Sequence, residues 1–460
     1  MNKTNELGTE NIGKLLLKFS IPSVIGMVVN MLYNIVDRIF VGRGVGSIAL
    51  SGVAVTFPIV NVIMGFAMLA GIGAAAVISI KLGQHKKEEA EKVLGNAFTL
   101  LVIFSLCITI FGITFLDPIL KILGASNETL PYARDFSFII LLGVILQSVS
   151  MGLNNIIRAE GNPKTAMLTM LIGAVLNFIA NPIFIFVFHL GVKGSALATI
   201  ISQSVTVIWT LQYFIGGKSL LKLTKKNMKL DKIVVKEITS IGMSPFAMQM
   251  AASLVTITFN KSLAIYGGDI AIGAFSLITS VTMLILMPIF GINQGAQPII
   301  GYNYGAKQYD RVKKTVFYAS VAATVITTLG FIMVQLFPVQ IISIFNTSDK
   351  NLISMGARGL RIDLLFFPIV GSSIVCTNYF QAIAKAKLST ILSLLRQVIM
   401  IIPLLIILPP FFKLDGVWMA QPIADVLSTA ITLILVVKQM KTLGHSEKIT
   451  ENRAVSDAIR

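Results

Sequence analysis

Apolar residues in this chain come in runs about as long as a bilayer is thick, separated by short polar stretches. A helix of about twenty apolar residues crosses the roughly 30 Å hydrocarbon core and satisfies its own backbone hydrogen bonds while doing so. Twelve such runs are predicted, at 15–42, 48–80, 93–116, 134–157, 165–189, 193–214, 238–266, 270–302, 315–339, 358–384, 388–411 and 416–437. The second and eighth are overlong and contain both Gly and Pro, so a bend or an irregular end is expected in each. The pattern predicts an all-α integral membrane protein.

Composition agrees. Hydrophobic residues make up 55% and charged residues 13%, against about 25% charged in an ordinary soluble domain. The first apolar run is too long for a signal-peptide core and lacks a small-residue cleavage site, so it is expected to stay. A net charge of +17 would suit nucleic acid, but the placement of the charges gives another reason for it. Basic residues gather after the even-numbered runs: four lysines between Lys81 and Lys92, Arg158 and Lys164, seven lysines between Lys218 and Lys236, four basic residues between Lys307 and Lys314, then Lys385 and Lys387. The opposite loops carry few, such as Arg43, Lys121, Lys193, Lys350 and Lys413. This is a positive-inside pattern with both termini cytoplasmic, and no nucleic-acid partner is expected. Cys107 and Cys376 lie inside apolar runs, and His85, His189 and His445 have no metal-ligand spacing. Neither a disulfide framework nor a structural metal is predicted. No nucleotide-binding segment or catalytic triad is found, so neither an enzyme nor a cofactor is expected, and an ion gradient is left to supply energy.

One polar, lysine-rich linker at 216–236 divides the runs into two sets of six. The expected organisation is a first lobe at 1–215, the cytoplasmic linker, a second lobe at 237–440 and a cytoplasmic tail at 441–460. The halves repeat. Pro22 aligns with Pro245 and Asp37-Arg38 with Asn260-Lys261 at an offset of 223 residues, and Gly73 through Gly83 aligns with Gly295 through Gly305 at 222. Asn155 and Lys164 align with Asn378 and Lys387, and Gly194 with Gly416, in nearly the same register. Equal run number and equal loop sidedness predict twelve transmembrane helices in two six-helix lobes, related by a pseudo-two-fold axis along the membrane normal. Two such bundles on a flexible linker can rock and open a central cavity to either side in turn, which is the construction of a transporter.

The first run, IPSVIGMVVNMLYNIVDRIFVG at 21–42, holds one acid, Asp37. A carboxylate at membrane depth costs about 2.5–3.5 kcal/mol on insertion scales, so a retained one faces water or partners and often marks an ion path. Asn30 and Asn34 precede it near the same helix face, completing a polar stripe. The alternative is an acid near the helix end that pairs with its neighbour Arg38. Asn177 and Asn181 are four apart on the fifth run, and Thr199 and Gln203 four apart on the sixth, so each pair shares a helix face. Their oxygens suit a small cation, and a lone carboxylate also suits a proton; the alternative is helix-to-helix hydrogen bonding. In the second half, GINQGAQPIIGYNYGA at 291–306 puts Asn293, Gln294 and Gln297 on a cavity wall or makes them packing and kink residues. Gln249 is a further cavity candidate. Met64, Met68, Met250 and Met287, with Phe57 and Phe275, suit a cavity for apolar cations or ordinary packing. Arg396 either reaches the cytoplasmic interface or pairs with another helix, and Asp363 lies near the outer end of its run.

These features resemble the multidrug and toxic compound extrusion family, most closely its MepA-like bacterial branch. The resemblance is carried by GINQGAQPIIGYNYGA at 291–306, NNIIRAEGNPK at 154–164, TNYFQAIAKAK at 377–387 and Pro22 with Asp37, and it covers almost the whole chain. It implies a multi-pass protein of the bacterial inner (cytoplasmic) membrane, surrounded by lipid, and because two lobes make a cavity without a partner chain, a monomer is expected. Its implied activity is export of cationic or amphipathic organic compounds in exchange for protons or sodium ions. It also implies a coupling site on the acid of the first helix, matching Asp37, on the fifth-helix pair matching Asn177 and Asn181, and on a sixth-helix Thr matching Thr199. The family usually has Asp where this chain has Asn181, so the site carries one carboxylate fewer. No second-lobe acid is found at matching depth, Asn260 standing opposite Asp37. The alternative function is a lipid-linked oligosaccharide flippase of related two-lobed fold, which would need several basic residues facing its cavity.

Overall fold

The computed structural model describes residues 3–345 and 349–458, and for residues 3–5, Asn34, Ser47, Asp269 and those from 443 onward it describes backbone only. Among the described residues every regular element is helical. The main helices are α1 (Ile12–Gly44), α2 (Phe57–Gly83), α3 (Lys87–Thr114), α4 (Val144–Ala159), α5 (Pro163–Pro182), α6 (Gly191–Ile215) and α7 (Lys232–Gly305). They continue with α8 (Tyr309–Leu336), α9 (Lys350–Asp363), α10 (Phe367–Ala382) and α11 (Ile401–Ala458). Prolines sit in the first turn of α2, α5 and α10, where a missing N–H costs no intrahelical bond. Asn162 caps α5 by accepting from the Thr165 N–H at 3.4 Å.

Nine helices among the described residues are long and apolar enough to cross a membrane, and two bent pairs raise the number to eleven. The bends are nearly equal, 55° between Leu130–Leu142 and α4 and 54° between α9 and α10. Large apolar side chains such as Ile110 and Phe317 are more than 60% exposed, as a lipid-facing surface requires. The exception is α2, the helix at the heart of the first unit. Its small residues let other backbones approach closely: a Cβ on Gly71 would lie 2.7 Å from the Gly152 Cα of α4.

The internal repeat is written in the backbone as well as in the residues. Left-handed conformations at Gly46, His85, Gly161 and Gly191 recur at Gly268, Lys307, Ala384 and Lys413, always 222 or 223 residues later. Gly268 and Lys413 mark the breaks inside the long helices α7 and α11.

The chain divides into two compact units, one of Met1–Glu6 and Ile21–Met250, the other of Leu7–Ser20 and Ala251–Arg460. Each therefore contains the opening segment of a helix that mostly belongs to the other. Within the first unit, Gly73 of α2 lies against the opening of α7, a Cβ there falling 2.2 Å from the Ile238 carbonyl oxygen. Within the second, its repeat partner Gly295 lies against the opening of α1, with Ser20 N at 2.7 Å. Arg311 and Asn303 in the second unit both donate to the Leu7 carbonyl at 3.0 Å.

Candidate functional site

Asp37 projects from α1 toward α5 and α6. Ser195 Oγ donates to Asp37 Oδ1 at 2.7 Å, and the Asn181 amide donates to the same oxygen. The Asn181 amide also reaches Asn177 Oδ1 at 3.4 Å, Asn177 donates to Thr199 Oγ1 at 3.2 Å, and the Tyr33 hydroxyl lies 3.3 Å from that same oxygen. Asn177 and Asn181 are buried. Asp37, Asn177, Asn181 and Thr199, drawn from three helices, thus form one cluster.

Local sequence explains the convergence. Pro182 follows Asn181 directly and has no N–H to donate, and the helix passes into a π-helical turn at Ile183–Val187. Glycines let the neighbours close on that turn. A Cβ on Gly44 of α1 would lie 2.4 Å from the Ile185 side chain, and one on Gly194 of α6 would lie 2.9 Å from the Phe184 carbonyl. Gly194 therefore sets how near Ser195 and Thr199 come to α5.

The cluster contains a single carboxyl group, that of Asp37. Among the described residues Asp37 forms no ion pair, and the Arg38 guanidinium lies over the Phe57 ring at 4.6 Å, so the alternative of an Asp37–Arg38 pair is not what the structure shows. Asn181 Oδ1 is buried with no hydrogen-bond donor, an arrangement that costs about 1–3 kcal/mol when nothing satisfies the oxygen. Carboxylate, amide and hydroxyl oxygens are hard ligands, and a single carboxylate matches a monovalent ion. The residues fit a proton or a sodium ion, and among the described residues no group of three acids, histidines or cysteines is placed to hold a multivalent metal.

Gln203 lies one turn beyond Thr199, and no described hydrogen bond joins its amide to the cluster. Ser195 and Tyr33 escaped the sequence reading although each stands four residues before a residue it selected, Thr199 and Asp37. The substrate candidates are more scattered. In the first unit, Gln249 donates to Asn61 Oδ1 at 3.1 Å, Met64 and Met68 are half-buried, and Asn30 and Phe57 are exposed. Met250 packs over Gly65 beside Phe246, and the Asn34 side chain lies outside the described residues. An apolar pocket of about 440 Å³ in this unit is lined by residues including Val62, Phe66 and Phe111 and by none of the candidates. In the second unit Met287, Gln294 and Gln297 are half-buried and Asn293 is buried. Phe275 stacks on Phe259 with ring centres 4.7 Å apart.

A family model described as MatE matches residues 22–183 and again 245–407, two segments whose starts are 223 residues apart. The chain belongs to the multidrug and toxic compound extrusion family. It is 29% identical to the multidrug export protein MepA of Staphylococcus haemolyticus over 426 residues, 93% of each chain. It is 28% identical to MepA of Staphylococcus aureus over 445 residues, 95% of this chain and 96% of the relative. Its fold matches the MATE multidrug transporter DinF-BH with a TM-score of 0.88 and 42% identity over 94% of this chain and 96% of that one. It matches a MOP superfamily transporter from Pyrococcus furiosus with a TM-score of 0.90 and 26% identity over 95% and 98%. The chain is thus a MATE-family membrane transporter of the MepA-like branch, not an enzyme.

The structure adds to this MATE protein one acid that the sequence reading passed over, Asp425. The second unit holds two buried acids, Asp363 and Asp425. Arg396 donates to Asp425 Oδ1 at 2.8 Å and Gln421 donates to the same oxygen at 3.2 Å. Of the two options open for Arg396, pairing with another helix is the one taken. Asp425 was detectable as an acid inside an apolar run, four residues after Gln421.

Proposed function

We propose that the chain exports cationic or amphipathic organic compounds across the cytoplasmic membrane in exchange for protons or sodium ions, using Asp37 as the coupling acid. The observation that carries this reading is the hydrogen-bonded cluster of Asp37, Asn181, Asn177 and Thr199, which holds one carboxyl group and a buried Asn181 oxygen that has no donor. The MepA relatives and DinF-BH, named for multidrug export and transport, support the substrate class. A cation does work only if it binds the two states of the transporter differently. Binding at Asp37 neutralises a charge held between α1, α5 and α6, and that neutralisation is the event we connect to the switch.

The span count extends to twelve on a simple length argument. The helical stretch Ala386–Thr442 has 57 residues, about 85 Å at 1.5 Å per residue, far more than one crossing, and it is broken at Lys413. Counted as two spans, it brings the eleven to twelve, in two sets of six with both termini cytoplasmic and the basic segment 216–236 between them. Asn30, Asn34, Phe57, Met64, Met68 and Gln249 of the first unit, with Met287, Asn293, Gln294 and Gln297 of the second, remain the proposed substrate-contacting residues, and the chain acts as a monomer.

The deciding experiment uses sealed vesicles containing the purified protein and a fluorescent organic cation. An imposed proton or sodium gradient is expected to drive efflux by the native chain and not by Asp37→Asn. Unchanged gradient-driven efflux in that variant would remove Asp37 from the mechanism.

A further inference from the structure

The segment between α6 and α7 is fastened to the first unit along its length. At its start, Ser219 donates to the buried Glu160 carboxylate at 2.5 Å. In its middle, the short helical turn Lys225–Met228 lies against α3. There the Asn96 amide donates to the carbonyls of Asn227 and Lys229, both at 3.2 Å, and Thr99 donates to the Met228 carbonyl at 2.8 Å. At its end, the Asp231 N–H donates to Asn96 Oδ1 at 2.8 Å and the Asp231 carboxylate pairs with Lys92 at 2.5 Å. Gly95 permits this contact, since a Cβ there would lie 2.2 Å from the Asn227 carbonyl oxygen. The expectation of a flexible linker gives way to a strap held at three points.

With its backbone turned inward, the strap turns its charge outward. All seven lysines from Lys218 to Lys236 are exposed, and among the described residues none of them makes an ion pair. Leu230 and Ile233, 43% and 72% exposed, stand among them. The docking points Gly95 and Thr99 lie eight and twelve residues into α3, about 12–18 Å along the helix from its first residue. That is where the charged turns Lys87–Lys92 end and the apolar run begins. The strap therefore lies at the level where headgroups meet hydrocarbon.

We propose that this strap is a docking surface for anionic phospholipid headgroups, its lysines at the phosphates and Leu230 and Ile233 at the acyl boundary. Unpaired basic residues beside a transmembrane helix are drawn to an anionic leaflet in proportion to their number, and interleaved apolar residues add to that attraction. A nucleic acid or an acidic protein would use the lysines and leave Leu230 and Ile233 in water, so the lipid accounts for more of the surface. The proposal uses the topology above to assign the cytoplasmic leaflet and is independent of what the protein exports.

The test titrates the purified full-length chain in detergent with phosphatidylglycerol or phosphatidylcholine of matched acyl chains and counts retained lipids by native mass spectrometry. Phosphatidylglycerol is expected to be retained about tenfold more strongly. Added salt is expected to weaken the preference, Lys225→Gln/Lys226→Gln/Lys229→Gln to abolish most of it, and the corresponding triple Arg variant to keep it. Gly95→Val keeps every lysine but forces the strap off α3, and is expected to lower the preference as well. An unchanged preference in the triple Gln variant, or in Gly95→Val, overturns the proposal. So does a native chain that retains an oligonucleotide or an acidic peptide but no more phosphatidylglycerol than phosphatidylcholine.

Discussion

At position 181 an amide stands where the family usually has an acid, one hydrogen bond from Asp37. Asn181→Asp keeps the size and the helix while adding a second negative charge to a cluster that holds one. The added carboxylate is expected to lower the ion concentration giving half-maximal efflux by about tenfold, since about 1.4 kcal/mol of extra attraction suffices for that factor. Half-maximal concentrations unchanged between the two proteins in vesicles would show that the side chain at 181 does not meet the ion. In the second unit the ion pair between half-buried Arg396 and buried Asp425 allows a different single-residue experiment. Asp425→Asn leaves the guanidinium without its anion; a fully buried pair would lose about 3–5 kcal/mol, and the loss here is expected to be smaller because Arg396 is partly exposed. Arg396→Met with Asp425→Leu removes both charges and is expected to recover most of that loss in detergent melting curves.

Helix ends determine how well the site is assembled. Gly194 brings α6 onto the carbonyl of Phe184, and its repeat partner Gly416 does the same in the second half, where a Cβ would lie 2.6 Å from the Leu408 carbonyl oxygen. Gly194→Ala is expected to cost about 1–3 kcal/mol of stability through overpacking. It should also weaken ion coupling more than Gly416→Ala does, because only Gly194 adjoins Ser195. Equal effects of the two substitutions on ion-driven efflux would separate the glycine from the site. Where the strap begins, burial pushes the Glu160 carboxyl up from its ordinary 4.5 to about 7, against the hydrogen bonds from Ser219 and Tyr213. The closed strap then holds its proton more tightly than an opened one across that window, so closure is favoured in acid and local opening grows easier as pH rises from about 4.5 to about 7. Amide hydrogen exchange at Leu220 and Leu221, corrected for intrinsic pH dependence, is expected to follow that rise, and Glu160→Gln to flatten it.

For the molecule as a whole, the run lengths and loop charges were written in the chain because a bilayer imposes them locally, and the repeat register because matching residues recur at a fixed offset. Asn177, Asn181 and Thr199 were legible as polar residues inside otherwise apolar helices, although Gln203, the one-turn partner of Thr199, does not join them. Ser195 was not, because a serine in a membrane helix ordinarily bonds back to its own backbone, as Ser202 and Ser204 do here at 2.8 Å. Asp425 was passed over among neighbours that read as core. The fastening of the strap was hidden because it depends on backbone carbonyls, which carry no residue-specific signal. The membership of the compact units was hidden too, since nothing in Leu7–Ser20 or in the opening of α7 says which glycine helix it will lie against.

That membership has a bearing on how the protein is made. The residues of Leu7–Ser20 are made before the body of the first unit, yet the unit they complete consists mainly of Ala251–Arg460, which are made after it. The first unit in turn waits for its segment up to Met250, well beyond the sixth span. Neither set of six spans therefore contains the whole of a compact unit. A chain stalled or truncated after the sixth span is expected to be recognised as incomplete and degraded, however well its six helices have been inserted. Pulse-labelled fragments ending at residues 216 and 256 should accordingly differ in lifetime, the longer one surviving.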